Sequence, residues 1–192
     1  MLSFAKLQEN HDKRLEHEQI DSILSIVKHE TISRIEKLQQ THDELTEESF
    51  AHPSDVDSYR DMLIEDMIET DNLQKIAEEL AIMSLFKNIE IKISNVVKRL
   101  KPNKFKRNLG KTISCIIPNI KDMMGFDSYN ELRLINNAIK HDGKVTQELS
   151  LNYPQWIKGD TLKELDCAYN RLLPGSKAFV RNVVTEIYNS DE

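Results

Sequence analysis

Glu131-Leu-Arg-Leu-Ile-Asn-Asn-Ala-Ile-Lys-His141-Asp-Gly143 combines enough leucine and isoleucine to bury a helix with enough polar side chain to leave part of it open. Ser128 and Glu131 stand at capping-box spacing, which puts the start of a helix at 128. Asp142-Gly143 stops it at 141, with Gly143 supplying a left-handed turn. At about 100° per residue, Arg133, Asn137 and His141 each advance only about 40° around the axis and form one slanted stripe. Leu132, Leu134, Ile135, Ala138 and Ile139 cover much of the remaining surface. A polar stripe on an otherwise apolar helix must be satisfied by neighbours or used.

Outward from that helix, the chain reads as all-α. Long Leu/Ile/Glu/Lys/Gln stretches run without breakers, and all five glycines follow residue 109. A first helix is expected over about 5–48, with Ile20, Leu24, Val27, Ile35, Leu38 and Leu45 as a 3-4 spaced seam. His52-Pro53-Ser54 breaks the chain. A second helical region follows over about 55–101, with a candidate break at Thr70-Asp71-Asn72. From Leu73 to Leu100 its apolar residues, Ile76 and Leu80 among them, span a wide arc, so a central helix buried on more than one side is expected. Pro118 kinks or restarts a helix at about 109–124. Residues 142–159 read as a long ordered loop with one extended piece. Thr161 and Glu164 cap a helix to about 172, and Pro174 opens a last one over 174–189. The division expected is a helical hairpin or extension at 1–71 and a helical bundle at 72–192.

The composition, 39% apolar and 30% charged, permits a core under a heavily solvated surface. No segment has the ~18 uncharged apolar residues of a membrane span. Lys6, Glu9, His11 and Asp12 interrupt any signal-peptide pattern. With Cys115 and Cys167 expected to be buried free thiols in apolar surroundings, the expectation is a cytoplasmic chain without a membrane partner. The remaining histidines lack metal-site spacing, and no glycine-rich phosphate loop or catalytic Ser-His-Asp set is present, so no metal or cofactor is expected.

Charge is unevenly spread: residues 1–97 carry −11 and residues 98–192 carry +5. The basic excess gathers between 98 and 111, where Lys98, Arg99, Lys101, Lys104, Lys106, Arg107 and Lys111 occur without one acid. This is either a phosphate-contacting segment or a solvated linker whose Lys98 and Arg99 favour the preceding helix C-terminus. The acidic runs at 43–48 and 55–71 read as solvated faces, or as surfaces that mimic nucleic acid or bind a basic partner.

With these residues in view, the helix ending in His141 resembles the signature helix of the HEPN superfamily, the nucleotide-binding domains of higher eukaryotes and prokaryotes. Many HEPN domains are metal-independent RNases of toxin–antitoxin and phage-defence systems, built on a four- or five-helix bundle. Their motif is an Arg, usually followed by a polar residue, with a His four to six residues after the Arg. Asn137 and His141 match its polar residue and its His. Asn136 stands where the family has Arg, and the nearest upstream cation is Arg133. The resemblance covers about residues 72–190. Asn137-Ala-Ile-Lys-His141 also looks like the asparagine box of histidine-kinase ATPase domains, but position 133 is Arg and the glycine-rich lid is missing.

The HEPN resemblance implies a homodimer in which two such helices face each other, an RNA substrate, and an antitoxin or defence-system protein partner. RNA cleavage without metal needs a base for the 2′-hydroxyl, an acid for the leaving 5′-oxygen and donors for the phosphorane charge. His141 has the right titration range. Arg133 offers a phosphate fork, Asn137 and Asn136 offer orienting amides, Lys140 a phosphate contact and Tyr129 a stacking face. The alternative is a non-catalytic HEPN-like module that dimerises or binds RNA or a partner.

Overall fold

A computed structural model describes residues 3–52 and 54–190. The fold is all-α. Seven α-helices run in order among the described residues: α1 (Phe4–Asp12), α2 (Glu18–Glu44), α3 (Ser54–Leu100), α4 (Leu109–Ile116), α5 (Phe126–His141), α6 (Gln147–Asn152) and α7 (Leu165–Asn189). Among the described residues the extended pairing is a single bridge, Lys144 to Thr161. No described helix is long and apolar enough to cross a membrane.

The chain divides into two compact units. One joins the described parts of Met1–Glu18 and Ala81–Glu192; the other is Gln19–Leu80. The first, the bundle, buries Leu85, Ile89, Ile93 and Val97 of α3 against a core that includes Leu132 and Ile135 of α5 and Phe179, Val180, Val183 and Val184 of α7. The second, the hairpin, is α2 antiparallel to the first half of α3. Its register is set by Thr31 Oγ1 with Gln74 Oε1 (3.2 Å) and by Arg60, which donates to the Leu45 carbonyl (3.0 Å). Its seam is thin: Ile20, Thr31, Val56, Leu63, Thr70 and Ala77 are its buried residues.

Several sequence expectations need correction. The first helix is two, separated at 13–17. No breaker causes this; long-range contacts do. Asp12 receives hydrogen bonds from Arg99 and Tyr188, Leu15 is buried, and Asn88 donates to the Glu16 carbonyl (3.1 Å). The break expected near Thr70 is absent, because its hydroxyl bonds back to the Asp66 carbonyl (2.7 Å) inside an unbroken α3. The expected helix at 109–124 ends at Ile116, before Pro118, and a 3-10 turn follows at Ile120–Asp122.

The expected loop at 142–159 contains α6, whose N-cap Thr146 accepts from the Leu149 N–H. Val145, Leu149 and Tyr153, four residues apart, are all buried, a helical spacing hidden in weak alternation. The two C-terminal helices are one. Pro174 lies inside α7, where it and Asn170, whose carbonyl loses its donor, both sit on the exposed side. Cys115 and Cys167 form no disulfide among the described residues, and both are exposed, not buried.

Candidate functional site on α5

Helix α5 is fixed from one side and open on the other. It starts at Phe126 rather than at 128, after Gly125 in a left-handed conformation (φ 91°). Ser128 and Glu131 therefore do not form the expected capping box. Ser128 instead marks a very close crossing with α7: a Cβ on Gly175 would lie 2.1 Å from Ser128 Oγ, and one on Gly125 would lie 2.3 Å from the Gly175 carbonyl oxygen. Near that crossing Tyr129 stacks between Phe179 (4.2 Å between ring centres) and Phe86 (5.9 Å). Burial pushes its hydroxyl up to about 12. The expected stacking face is thus spent inside the core.

Glu131 is the anchor. Its carboxylate, 2% exposed, receives a two-pronged ion pair from Arg171 (2.7 and 2.8 Å), the indole N–H of Trp156 (2.7 Å) and the amide of Gln155 (3.0 Å). Burial works to raise its pKa, but Arg171 and Trp156 outweigh burial and hold it below the ordinary glutamate value. One acid thereby ties α5 to α7 and to the segment after α6. On the neighbouring turn, Tyr153 donates to the Asp127 carbonyl (2.9 Å) and accepts from Asn130 (3.1 Å).

The polar stripe faces the other way. Arg133 and Asn137 are partly exposed, and Lys140 and His141 are exposed at the C-terminal turn. Asp142 and Gly143 close the helix, both donating to the Ala138 carbonyl, with Gly143 at φ 63° as its sequence position predicts. Among the described residues His141 has no hydrogen-bond or ion-pair partner, and its imidazole is open to solvent. Arg133 donates to Asn130 Oδ1 (3.0 Å) and to Glu148 of α6 (3.1 Å), so part of its charge is already balanced. Asn136 is separated from the others: it is 1% exposed, reaches only Asn137 at 3.5 Å, and leaves its own Oδ1 without a partner.

An open cavity of about 420 Å³ adjoins the stripe. Arg133, Asn130, Glu148 and Asn152 line it together with Gly110, Ser114 and Lys121. Gly110, at the end of the basic segment, and Arg133 of the motif helix, distant in sequence, both line it. Asn130 is legible as the next residue along the stripe, one turn before Arg133. Nothing in the sequence near Lys121 signals its place at the cavity.

Within the basic segment, four cations have internal duties. Lys98 lies over the Phe105 ring (4.7 Å), Arg99 bonds to Asp12 and Tyr188, Lys101 caps the Ser190 carbonyl, and Lys106 lies 2.8 Å from Cys115 Sγ. Arg107 and Lys111 are exposed without an ion pair among the described residues, and Lys104 is partly exposed. A second cavity, about 400 Å³, lies beyond the Glu131 anchor, where Trp156, Lys163, Glu164, Cys167 and Arg171 line it. Glu164 is the one non-glycine described residue with positive φ (54°). Among the described residues no cluster of His, Cys, Asp and Glu could hold a metal ion. No family model, curated protein or solved structure matches the chain.

Proposed function

We propose that the open face of α5 is the RNA-binding surface of a HEPN-like module that binds without cleaving. One observation carries the reading: Arg133 and Lys121 line the same cavity as Gly110 of the basic segment, with exposed Lys111 next in the chain. Arg133, whose Nε and Nη2 are held by Asn130 and Glu148, keeps Nη1 for a phosphate oxygen, Lys121, Lys111 and Arg107 add point charges, and Asn152 supplies an amide for a base edge or sugar hydroxyl. The position of the family arginine is taken by Asn136 inside the protein, so the stripe presents a single imidazole, His141, for chemistry that needs a base and an acid. A bacterial toxin or phage-defence setting, with a protein partner, is what the resemblance suggests for such a module.

Fluorescence anisotropy with a short labelled single-stranded RNA tests the proposal. Affinity should fall steeply with salt. Lys111→Glu with Lys121→Glu should weaken it at least about tenfold at moderate salt, with circular dichroism unchanged. An unaltered affinity in that double variant removes the cavity from the account.

A second reading, RNA cleavage, has its own support: Arg133, Asn137 and His141 do share the accessible side of one helix. In that reaction the 2′-oxygen attacks phosphorus as its proton passes to a base. The bond from phosphorus to the 5′-oxygen breaks as that oxygen takes a proton from an acid, leaving a 2′,3′-cyclic phosphate. His141 fills one role at a time, so a second protomer's histidine supplies the other. Cleavage that persists in EDTA and drops at least ~100-fold in His141→Ala would establish this reading over the first. Asn136→Arg should lower stability rather than raise activity, because the position is buried.

A further inference from the structure

We infer that the hairpin is a self-association surface, in which α2 and the first half of α3 pack against the same hairpin of a second copy to make a four-helix layer. In a single copy the hairpin is apolar where nothing covers it: Ile23, Ile26, Met62, Leu73, Ile76 and Leu80 are each 52–64% exposed.

These residues share one face. On α3 the seam is marked by Val56, Leu63, Thr70 and Ala77, seven residues apart. Met62, Leu73, Ile76 and Leu80 stand about 50–110° to one rotational side of that seam. On α2 the seam runs through Ile20, Leu24, Thr31 and Leu38, and Ile23 and Ile26 stand about 70–130° to the same rotational side. In an antiparallel pair, equal rotational sides fall on the same face. The observed register brings Ile26 level with Glu79, between Ile76 and Leu80, so Ile23, Ile26, Leu73, Ile76 and Leu80 form one continuous cluster, with Met62 about 16 Å further along α3. Ile32, Ile64 and Ile68 lie on the opposite face and are more scattered.

Two features select a second copy as the occupant. The first is charge. The hairpin carries −11 over residues 19–80, which by itself repels a copy, but the charge on the apolar face is divided by helix. There α2 presents Arg34 and Lys37, and α3 presents Asp66 and Glu69 with no cation. None of the four has an ion-pair partner among the described residues. A two-fold axis parallel to the helices lays each α2 over the partner's α3 at the same level. Arg34 and Lys37 then fall within about a turn of Asp66 and Glu69 of the other copy, while Ile23 and Ile26 cover Ile76 and Leu80. Glu30, the one acid on that face of α2 between Ile23 and Thr41, is placed to pair with Arg34 one turn on. The second feature is size. The five contiguous side chains leave roughly 400–500 Å² of apolar surface, in the upper part of the range for the largest patch on a monomer, and the charged rim and Met62 extend it toward the ~800 Å² per partner of a stable interface.

Sedimentation equilibrium of the full chain tests this. The wild type should be a dimer at tens of micromolar, roughly the range of ordinary dimer affinities. Ile26→Glu with Ile76→Glu should raise the dimer dissociation constant at least about a hundredfold with helicity retained, since both side chains are already half exposed. Ile64→Glu with Ile68→Glu, on the opposite face, should leave it within about threefold. Arg34→Glu with Lys37→Glu should weaken the dimer, and adding Asp66→Lys with Glu69→Lys to that same chain should restore it. A monomeric wild type overturns the inference and leaves the face to another protein. A dimer indifferent to the Ile26 and Ile76 changes overturns it too. In that case, disruption by Asn137→Glu would locate the interface on α5.

Discussion

Helix α3 runs through both units without a break, yet its two halves are used differently. In the bundle, Ile82, Leu85, Ile89, Ile93 and Val97 are completely buried. In the hairpin, Leu73, Ile76 and Leu80 remain half exposed, and the seam with α2 rests partly on two threonines and an alanine. The apolar spacing hardly changes along the way. What changes is the number of neighbours: several elements surround the C-terminal half, and a single helix accompanies the N-terminal half. Apolar periodicity reports that a face needs cover, not that the chain itself supplies it.

The largest effect expected from this contrast is in the core. Ile89→Ala should cost about 3–4 kcal/mol, in the range for a fully buried isoleucine, whereas Ile76→Ala should cost less than about 1 kcal/mol under conditions where the chain is monomeric. Urea titration followed by circular dichroism makes the comparison. Equal costs would mean that the hairpin is as well packed as the bundle.

Next comes the anchor of α5. Glu131→Ala should cost about 3 kcal/mol, the low end for breaking a buried pair, because Arg171 is half exposed and can rehydrate. The pH dependence follows from its lowered pKa. The stabilisation is complete above the unfolded value of 4.5 and is lost as pH falls through the lower folded value. Asp12 acts in the same direction: burial raises its pKa, and Tyr188 and Arg99 more than offset that. Acid should therefore loosen the bundle while relieving the hairpin's −11 charge. Stability measured from pH 7 to 3 should be flat at first and then fall below about pH 4.5, and Glu131→Gln should flatten the fall. An unchanged profile in that variant would assign the acid transition elsewhere.

A smaller effect is expected at the helix crossing. Gly175→Ala should cost about 1–3 kcal/mol, because its Cβ meets Ser128 Oγ at 2.1 Å, and Ser128→Gly should recover much of it. No recovery would mean that α7 yields by a shift of backbone instead.

Legibility in the sequence followed the same divide. The α-helical class, the end of α5 at Gly143 and the end of α3 before Pro102 are written in local residues and are read correctly. The break after α1, the single α7 through Pro174 and the true start of α5 depend on distant partners: Arg99 and Tyr188 for Asp12, Ser128 for Gly175, and the close α7 backbone for Gly125. Glu131 shows the limit most plainly. Its spacing from Ser128 imitates a cap, and only the fold brings Arg171, 40 residues on, against it. At the site, the stripe of Arg133, Asn137, Lys140 and His141 follows from helical geometry alone. The burial of Asn136 does not, because it depends on which neighbours close over that side of α5.

The contrast between the units also bears on RNA, since the hairpin is strongly acidic while the open face of α5 carries Arg133 and Lys140, with Lys121 at its cavity. Ultraviolet crosslinking of a bound single-stranded RNA, mapped by mass spectrometry, separates them in one experiment. The account predicts crosslinks within residues 107–141 and none within 19–80. Crosslinks on the hairpin, or an even spread over both units, would contradict it.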